Sequence, residues 1–143
     1  MGLFDFARNV GVQLFSQEED AADSIRAHIE SDNPGIKKLE VVFREGTVEI
    51  SGEAESGSAL QKAILMAGNV RGVGAVKVRS GLSPATEESV AFYTIKHGDT
   101  LAELAKLYYG DAAEYSRILE ANREVIKDAD RIYIGQKIRI PLG

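Results

Sequence analysis

Gly68-Asn69-Val70-Arg71-Gly72-Val73-Gly74-Ala75-Val76 carries three glycines within its first seven residues and one charged side chain, Arg71. Glycine permits φ > 0 and lets other groups approach the backbone closely. A loop of this composition can turn several carbonyls toward one point while offering almost no side-chain chemistry. Two readings follow: a cation site built from backbone oxygens, or a tight connection between a helix and a strand. Upstream, Leu60, Ala63, Ile64 and Ala67 fall at i, i+3, i+4 and i+7, which predicts a helix opened by Ser56-Gly57-Ser58. Downstream, Val76 and Val78 predict a strand.

Before that helix, Leu39, Val41 and Phe43 alternate with polar neighbours, and Val48 and Ile50 repeat the alternation after Glu45-Gly46. This pattern predicts a β-hairpin. Asn33-Pro34-Gly35 breaks an earlier amphipathic run that has Ala22, Ile25 and Ile29 on one side. Glu18-Glu19-Asp20 opens that run, and acids in a first turn complement the helix macrodipole. The element order is α-β-β-α-β, an α+β layer with helices covering one sheet face. Residues 1–17 stand before it. There Leu3, Phe6, Ala7, Val10 and Leu14 have helical spacing, which predicts an amphipathic helical segment packing on the domain. Gly11 would end its first turns and leave carbonyls such as those of Ala7, Arg8 and Val10 without intrahelical donors.

After the glycine-rich loop and its strand, Ser83-Pro84-Ala85-Thr86-Glu87-Glu88-Ser89 is polar and contains proline, so residues 84–91 are expected to link two domains. Phe92 to Lys96 then predicts a strand. Thr100 and Glu103 have capping-box spacing, and Leu101, Leu104, Ala105 and Tyr108 share a helical face. A second helix around Tyr115, Ile118, Leu119 and Asn122 precedes a closing strand at 137–141. This half reads β-α-α-β.

Composition narrows the function. The chain has 143 residues, with 44% hydrophobic and 27% charged, which is globular. It has no cysteine, so there is no disulfide framework and no thiolate metal site. Net charge is −5, and residues 92–143 balance eight acids against eight bases. A nucleic-acid binder would show a basic face, and none is visible. No apolar run approaches the length of a membrane span. The N-terminus lacks a basic region followed by a cleavage site, so the cytoplasm is the expected address. No Ser-His-Asp set, paired carboxylates in a cleft, phosphate loop or zinc spacing is present, so an enzyme is not expected.

Residues 18–83, with Gly46-Thr47-Val48-Glu49-Ile50-Ser51-Gly52 in the hairpin and Gly72-Val73 before the last strand, resemble a BON domain. Residues 92–143 resemble a LysM domain through Tyr93-Thr94-Ile95-Lys96-His97-Gly98-Asp99-Thr100-Leu101, Asn122 and Gly135-Gln136-Lys137-Ile138-Arg139-Ile140-Pro141. LysM resemblance implies binding of N-acetylglucosamine-containing glycans such as peptidoglycan, in a groove formed by Gly98, Asp99, Thr100, Leu101, Ile132, Tyr133 and Ile134. One BON and one LysM domain behind a Met-Gly-Leu-Phe start resembles a bacterial family of cytoplasmic potassium-binding proteins. That resemblance implies selective K⁺ binding, with Rb⁺, Cs⁺ and NH₄⁺ as related guests, and a conformational response suited to a K⁺ sensor in osmotic stress. It places the ion on the backbone carbonyls of Ala7, Val10, Gly68, Val70 and Val73, with the end of the first helix adding partial negative charge. A monomer is expected. The competing readings are a cell-envelope glycan binder and a BON-mediated lipid association.

Overall fold

Four apolar side chains form a row across one sheet: Phe43, Val48, Val76 and Phe4 are successive register partners on four strands. The computed structural model in which they lie describes residues 2–79 and 90–142. The chain divides into two units, Met1–Glu87 and Glu88–Gly143, and its architecture is α+β.

In the first unit, strands β1 (Gly2–Asp5), β2 (Ile36–Arg44), β3 (Thr47–Ala54) and β4 (Ala75–Val78) form one sheet in the order β1-β4-β3-β2. β2 and β3 are an antiparallel hairpin. Glu45 and Gly46 both have positive φ, at 51° and 81°, as a two-residue turn matched to strand twist requires. β3 and β4 are parallel, which needs a crossover, and α2 (Gly57–Gly68) supplies it. α1 (Glu18–Glu30) packs against β2 and α2. The core joins Ala21, Ile25 and Ile29 of α1 to Leu60, Ala63, Ile64 and Ala67 of α2, over Val48, Ile50, Val76 and Val78.

Ile36 and Leu39 are both buried although three residues apart on β2. A register shift between Lys37 and Glu40, with Lys38 at φ 55°, absorbs the extra residue as a bulge. The strand therefore starts earlier than strict alternation from Leu39 implied.

The N-terminal segment is not the helix its spacing predicted. Residues 2–5 form β1, antiparallel to β4, and no helix is assigned before Glu18 among the described residues. Two causes are visible. β4 offers an edge whose N–H and C=O groups need partners, and Phe4 completes the apolar row when paired with Val76. A helix of about a dozen residues is marginal by itself in water. With β1 included, the order of this unit is β-α-β-β-α-β.

The second unit pairs β5 (Val90–Thr94) with β6 (Lys137–Pro141) in an antiparallel ribbon, covered by α3 (Leu101–Tyr109) and α4 (Tyr115–Ala121), with a 3₁₀ turn at Ala112–Glu114. Its core is Ile95, Leu101, Leu104, Ala105, Ile118, Ile126, Ile138 and Ile140. Thr100 Oγ1 accepts the Glu103 N–H at 3.1 Å, and Gly110 at φ 78° ends α3. Asn122, 1% exposed, is fully used: Nδ2 donates to Ile118 O and Arg139 O, and Oδ1 accepts Arg139 N–H. Of the expected linker, residues 84–89 lie outside the described residues, whereas Val90 and Ala91 already belong to β5.

Candidate functional site

Residues 6–12 lie against residues 68–74, joined by main-chain hydrogen bonds. Phe6 N–H donates to Gly74 O at 2.9 Å, Gly72 N–H to Arg8 O at 2.8 Å, Arg71 N–H to Val12 O at 2.9 Å, and Val12 N–H to Asn69 O at 3.2 Å. Val12 and Val70 form a parallel bridge. Arg71 Nη1 adds a side-chain bond to Asn9 O at 2.9 Å. Ala7 and Val10 lie on one of these segments and Gly68, Val70 and Val73 on the other, so the five expected residues are divided between the two sides of one seam.

Three glycines permit this closeness. A Cβ on Gly11, whose φ is 113°, would stand 2.7 Å from the Asn69 carbonyl. A Cβ on Gly68 would run into the Phe6 ring, and one on Gly72 would stand 3.0 Å from Phe15 Cζ. Phe15 in turn packs edge-on against Phe43, with ring centroids 5.4 Å apart. The N-terminal segment is thus held by aromatic rings set onto glycines as well as by hydrogen bonds.

The electrostatic focus differs from the expected one. With no helix at 3–15, that segment has no helix dipole to contribute. The helix end at the seam belongs to α2. In a continuing helix Arg71 and Gly72 would give their N–H groups to Ala67 O and Gly68 O, but both are given to the N-terminal segment instead. The C-terminal carbonyls of a 12-residue helix therefore keep their partial negative charge, and no basic residue occupies the last turn. Val70 O accepts Val73 N–H at 3.0 Å and Ala7 O accepts Val10 N–H at 3.4 Å, and each carbonyl has a second lone pair. Among the described residues no three His, Asp or Glu side chains cluster as metal ligands, so a cation at this seam would rest on backbone oxygen. The donor set fits a weakly hydrated monovalent ion, as carbonyl rings do in K⁺ channels.

The second constellation lies in the other unit. Ile95 N–H donates to Gln136 O and Gly135 N–H to Ile95 O, both at 2.8 Å, which sets the 96–100 turn beside the 132–135 loop. Gly98, at φ 88°, faces open space, and Ile134 is 57% exposed. Other members of the set have structural work. Leu101 is in the core, and the Thr100 hydroxyl caps α3. Asp99 Oδ2 accepts Tyr93 O–H at 2.6 Å and Lys96 N–H at 2.7 Å. The Tyr93 bond, then the Lys96 N–H, hold the Asp99 carboxyl below its usual range. The same bond, then burial, pushes the Tyr93 phenol up to about 12. Burial alone pushes half-buried Tyr133 up to about 12. Ile132 packs partly against the core.

Sequence reading named the Arg8 carbonyl as one without a helical donor, and missed Phe6, Asn9 and Val12 as parts of the seam. Gly11 and Gly68 were visible, but nothing local marked which ring would cover which glycine.

Comparison with known proteins matches a BON domain at residues 17–79 and a LysM domain at residues 93–141, both non-catalytic families. Potassium binding protein Kbp of Escherichia coli O6:H1 (strain CFT073) is 34% identical over 150 residues, covering 99% of each chain. An uncharacterized protein of Deinococcus radiodurans is 34% identical over 114 residues, covering 72% of this chain and 44% of its own. Uncharacterized protein YqbP of Bacillus subtilis is 40% identical over 58 residues, covering 34% of this chain and 26% of its own. No described helix is long and apolar enough to cross a membrane.

Proposed function

Because the chain belongs to the Kbp family of BON–LysM proteins, we propose that it binds K⁺ through the main-chain oxygens of Ala7, Val10, Gly68, Val70 and Val73. The observation that carries this reading is the seam itself. Two segments about 60 residues apart in sequence are laced together over the end of α2, whose last carbonyls have lost their helical donors to the lacing. Carbonyl dipoles without carboxylates favour a monovalent ion over Mg²⁺ or Ca²⁺, whose sites use carboxylates or retained water. Binding would cost little reorganisation where both segments already meet.

The functional consequence is a K⁺-dependent conformation. An ion held jointly by residues 7–10 and 68–73 stabilises the closed seam over any state in which the N-terminal segment lifts away. Such a protein reports the K⁺ level of the cytoplasm, including its changes in osmotic stress, and it acts by binding, not by catalysis. Rb⁺, Cs⁺ and NH₄⁺ are related guests of the same oxygens.

Thermal unfolding in KCl, NaCl and choline chloride at matched ionic strength tests the proposal. A saturable rise in midpoint specific to KCl is expected, about 2.7 kcal/mol of added stability at 100 times Kd. Equal midpoints in all three salts would reduce the seam to a plain connection.

A second reading, glycan binding by the LysM unit, draws on the adjacency of the 96–100 and 132–135 loops and on exposed Ile134. Titration with chitooligosaccharides, followed by tyrosine fluorescence, tests it. All five tyrosines lie at or beyond residue 93.

A further inference from the structure

Arg71 is the one charged side chain in residues 68–76, and its Nη1 donates to Asn9 O at 2.9 Å. That oxygen belongs to the peptide joining Asn9 to Val10, so the guanidinium sits beside one of the proposed ligand residues. Residues 6–12 and 68–76 contain no Asp or Glu. The other guanidinium of these segments, on Arg8, lies over the hairpin turn, where a Cβ on Gly46 would stand 2.9 Å from Arg8 Cζ. A permanent positive charge therefore stands at the rim of a carbonyl cluster that has no carboxylate of its own to offset it. Resting on the cation reading above, we infer that Arg71 is a specificity-determining residue: its charge biases the seam against divalent cations and toward monovalent ones.

The reasoning is Coulombic. Repulsion between a fixed charge and a bound ion scales with the ion's charge, so a divalent ion loses twice the free energy that a monovalent ion loses. Expressed as affinity, the factor against the divalent ion is the square of the factor against the monovalent one. For two charges roughly 7 Å apart in a water-like dielectric, these factors would be about threefold and about sevenfold. Added salt shrinks both. Dehydration opposes small divalent ions in any such cage, and the fixed charge acts in addition to it.

Arg71 also fastens the seam: its main-chain N–H to Val12 O is kept whatever side chain stands there, whereas the Nη1 bond to Asn9 O depends on the guanidinium. Replacing it will therefore change the fit for every ion alike. That shared change cancels in the ratio of two affinities, whereas the charge effect does not.

The experiment is calorimetric titration of the full chain with KCl and with BaCl₂, since Ba²⁺ is close to K⁺ in size, at ionic strength fixed with choline chloride. Wild type, Arg71→Gln and Arg71→Lys are compared, each first shown to be folded by its unfolding transition in choline chloride. The ratio of the Ba²⁺ to the K⁺ dissociation constant should fall about threefold in Arg71→Gln and hold in Arg71→Lys. An unchanged ratio in Arg71→Gln, with wild type still taking up K⁺, overturns this inference alone. So does an equal fall in Arg71→Lys, because charge would then not be the cause. A wild type without saturable K⁺ uptake overturns the cation reading and this inference with it.

Discussion

Phe6 lays its ring over Gly68 so closely that a Cβ added to the glycine would stand 2.1 Å from Cζ. The glycine is thus required by an aromatic neighbour contributed from the far end of the unit's sequence. Gly68→Ala must displace the ring, and overpacking of this kind costs about 1–3 kcal/mol. Urea unfolding should show a lower midpoint. In a Phe6→Ala background the same substitution should cost much less, because the clash is gone. Additive losses in the double-mutant cycle would show that the contact is not what Gly68 serves.

Deleting residues 1–16 removes β1, Phe6 and the whole N-terminal half of the seam. The K⁺-specific rise in unfolding midpoint should disappear. Glu18→Gln, an exposed first-turn acid of α1, should retain it in full. A deletion variant that still responds to KCl would move the ion elsewhere, and loss of response in Glu18→Gln would point to the acidic start of α1.

Asn122 ties the end of α4 to β6 with two hydrogen bonds to Arg139 at 2.8 Å and bonds back to Ile118 O at 2.7 Å. Asn122→Ala leaves Arg139 N–H without that acceptor and two carbonyls without those donors inside the core. The expected cost is about 2–4 kcal/mol. Thermal unfolding read by tyrosine fluorescence reports on this unit selectively, since the first unit has no tyrosine. A midpoint within error of wild type would mean that water replaces the amide.

Asp99 and Tyr93 give the second unit a pH signature at both ends. The Asp99 carboxyl is lowered by its bonds from Tyr93 and Lys96, so its contribution is present above the ordinary carboxylate value of 3.8 and is lost as pH falls through its own lowered value. Tyr93, raised from 10.0 to about 12, contributes stability below pH 10 that is lost as pH climbs toward 12. Tyr93→Phe should bring the Asp99 titration, followed by its side-chain carboxyl NMR shift, back up toward the ordinary value. An unmoved titration would mean that the Lys96 N–H alone sets it.

Much of this fold was legible because its signals are local. Ser56, Thr100 and the Glu45-Gly46 turn act through neighbours within four residues, so sequence alone located those boundaries. The alternation of Val48 and Ile50 likewise matched their burial. The N-terminal segment misled because its spacing of Leu3, Phe6, Ala7, Val10 and Leu14 is helical, while its actual partner, β4, is some 70 residues away. Local pattern cannot register an edge that another part of the chain will offer. The same limit applies at the seam. Gly68 and Gly72 were conspicuous, but Phe6 and Phe15 as their covers, and Arg71 as the tie to Asn9, depend on a contact across some 60 residues.

The pairing of Gly2 with Val78 also fixes an order of events during synthesis. Residues 2–5 have no strand to join until β4 has emerged from the ribosome, so this segment is among the last parts of its unit to be placed. α1, the hairpin and α2 can assemble meanwhile from nearer contacts. The seam closes only when translation has passed the glycine-rich loop, and a nascent chain stopped short of Gly68 would lack it however much else of the first unit it contained.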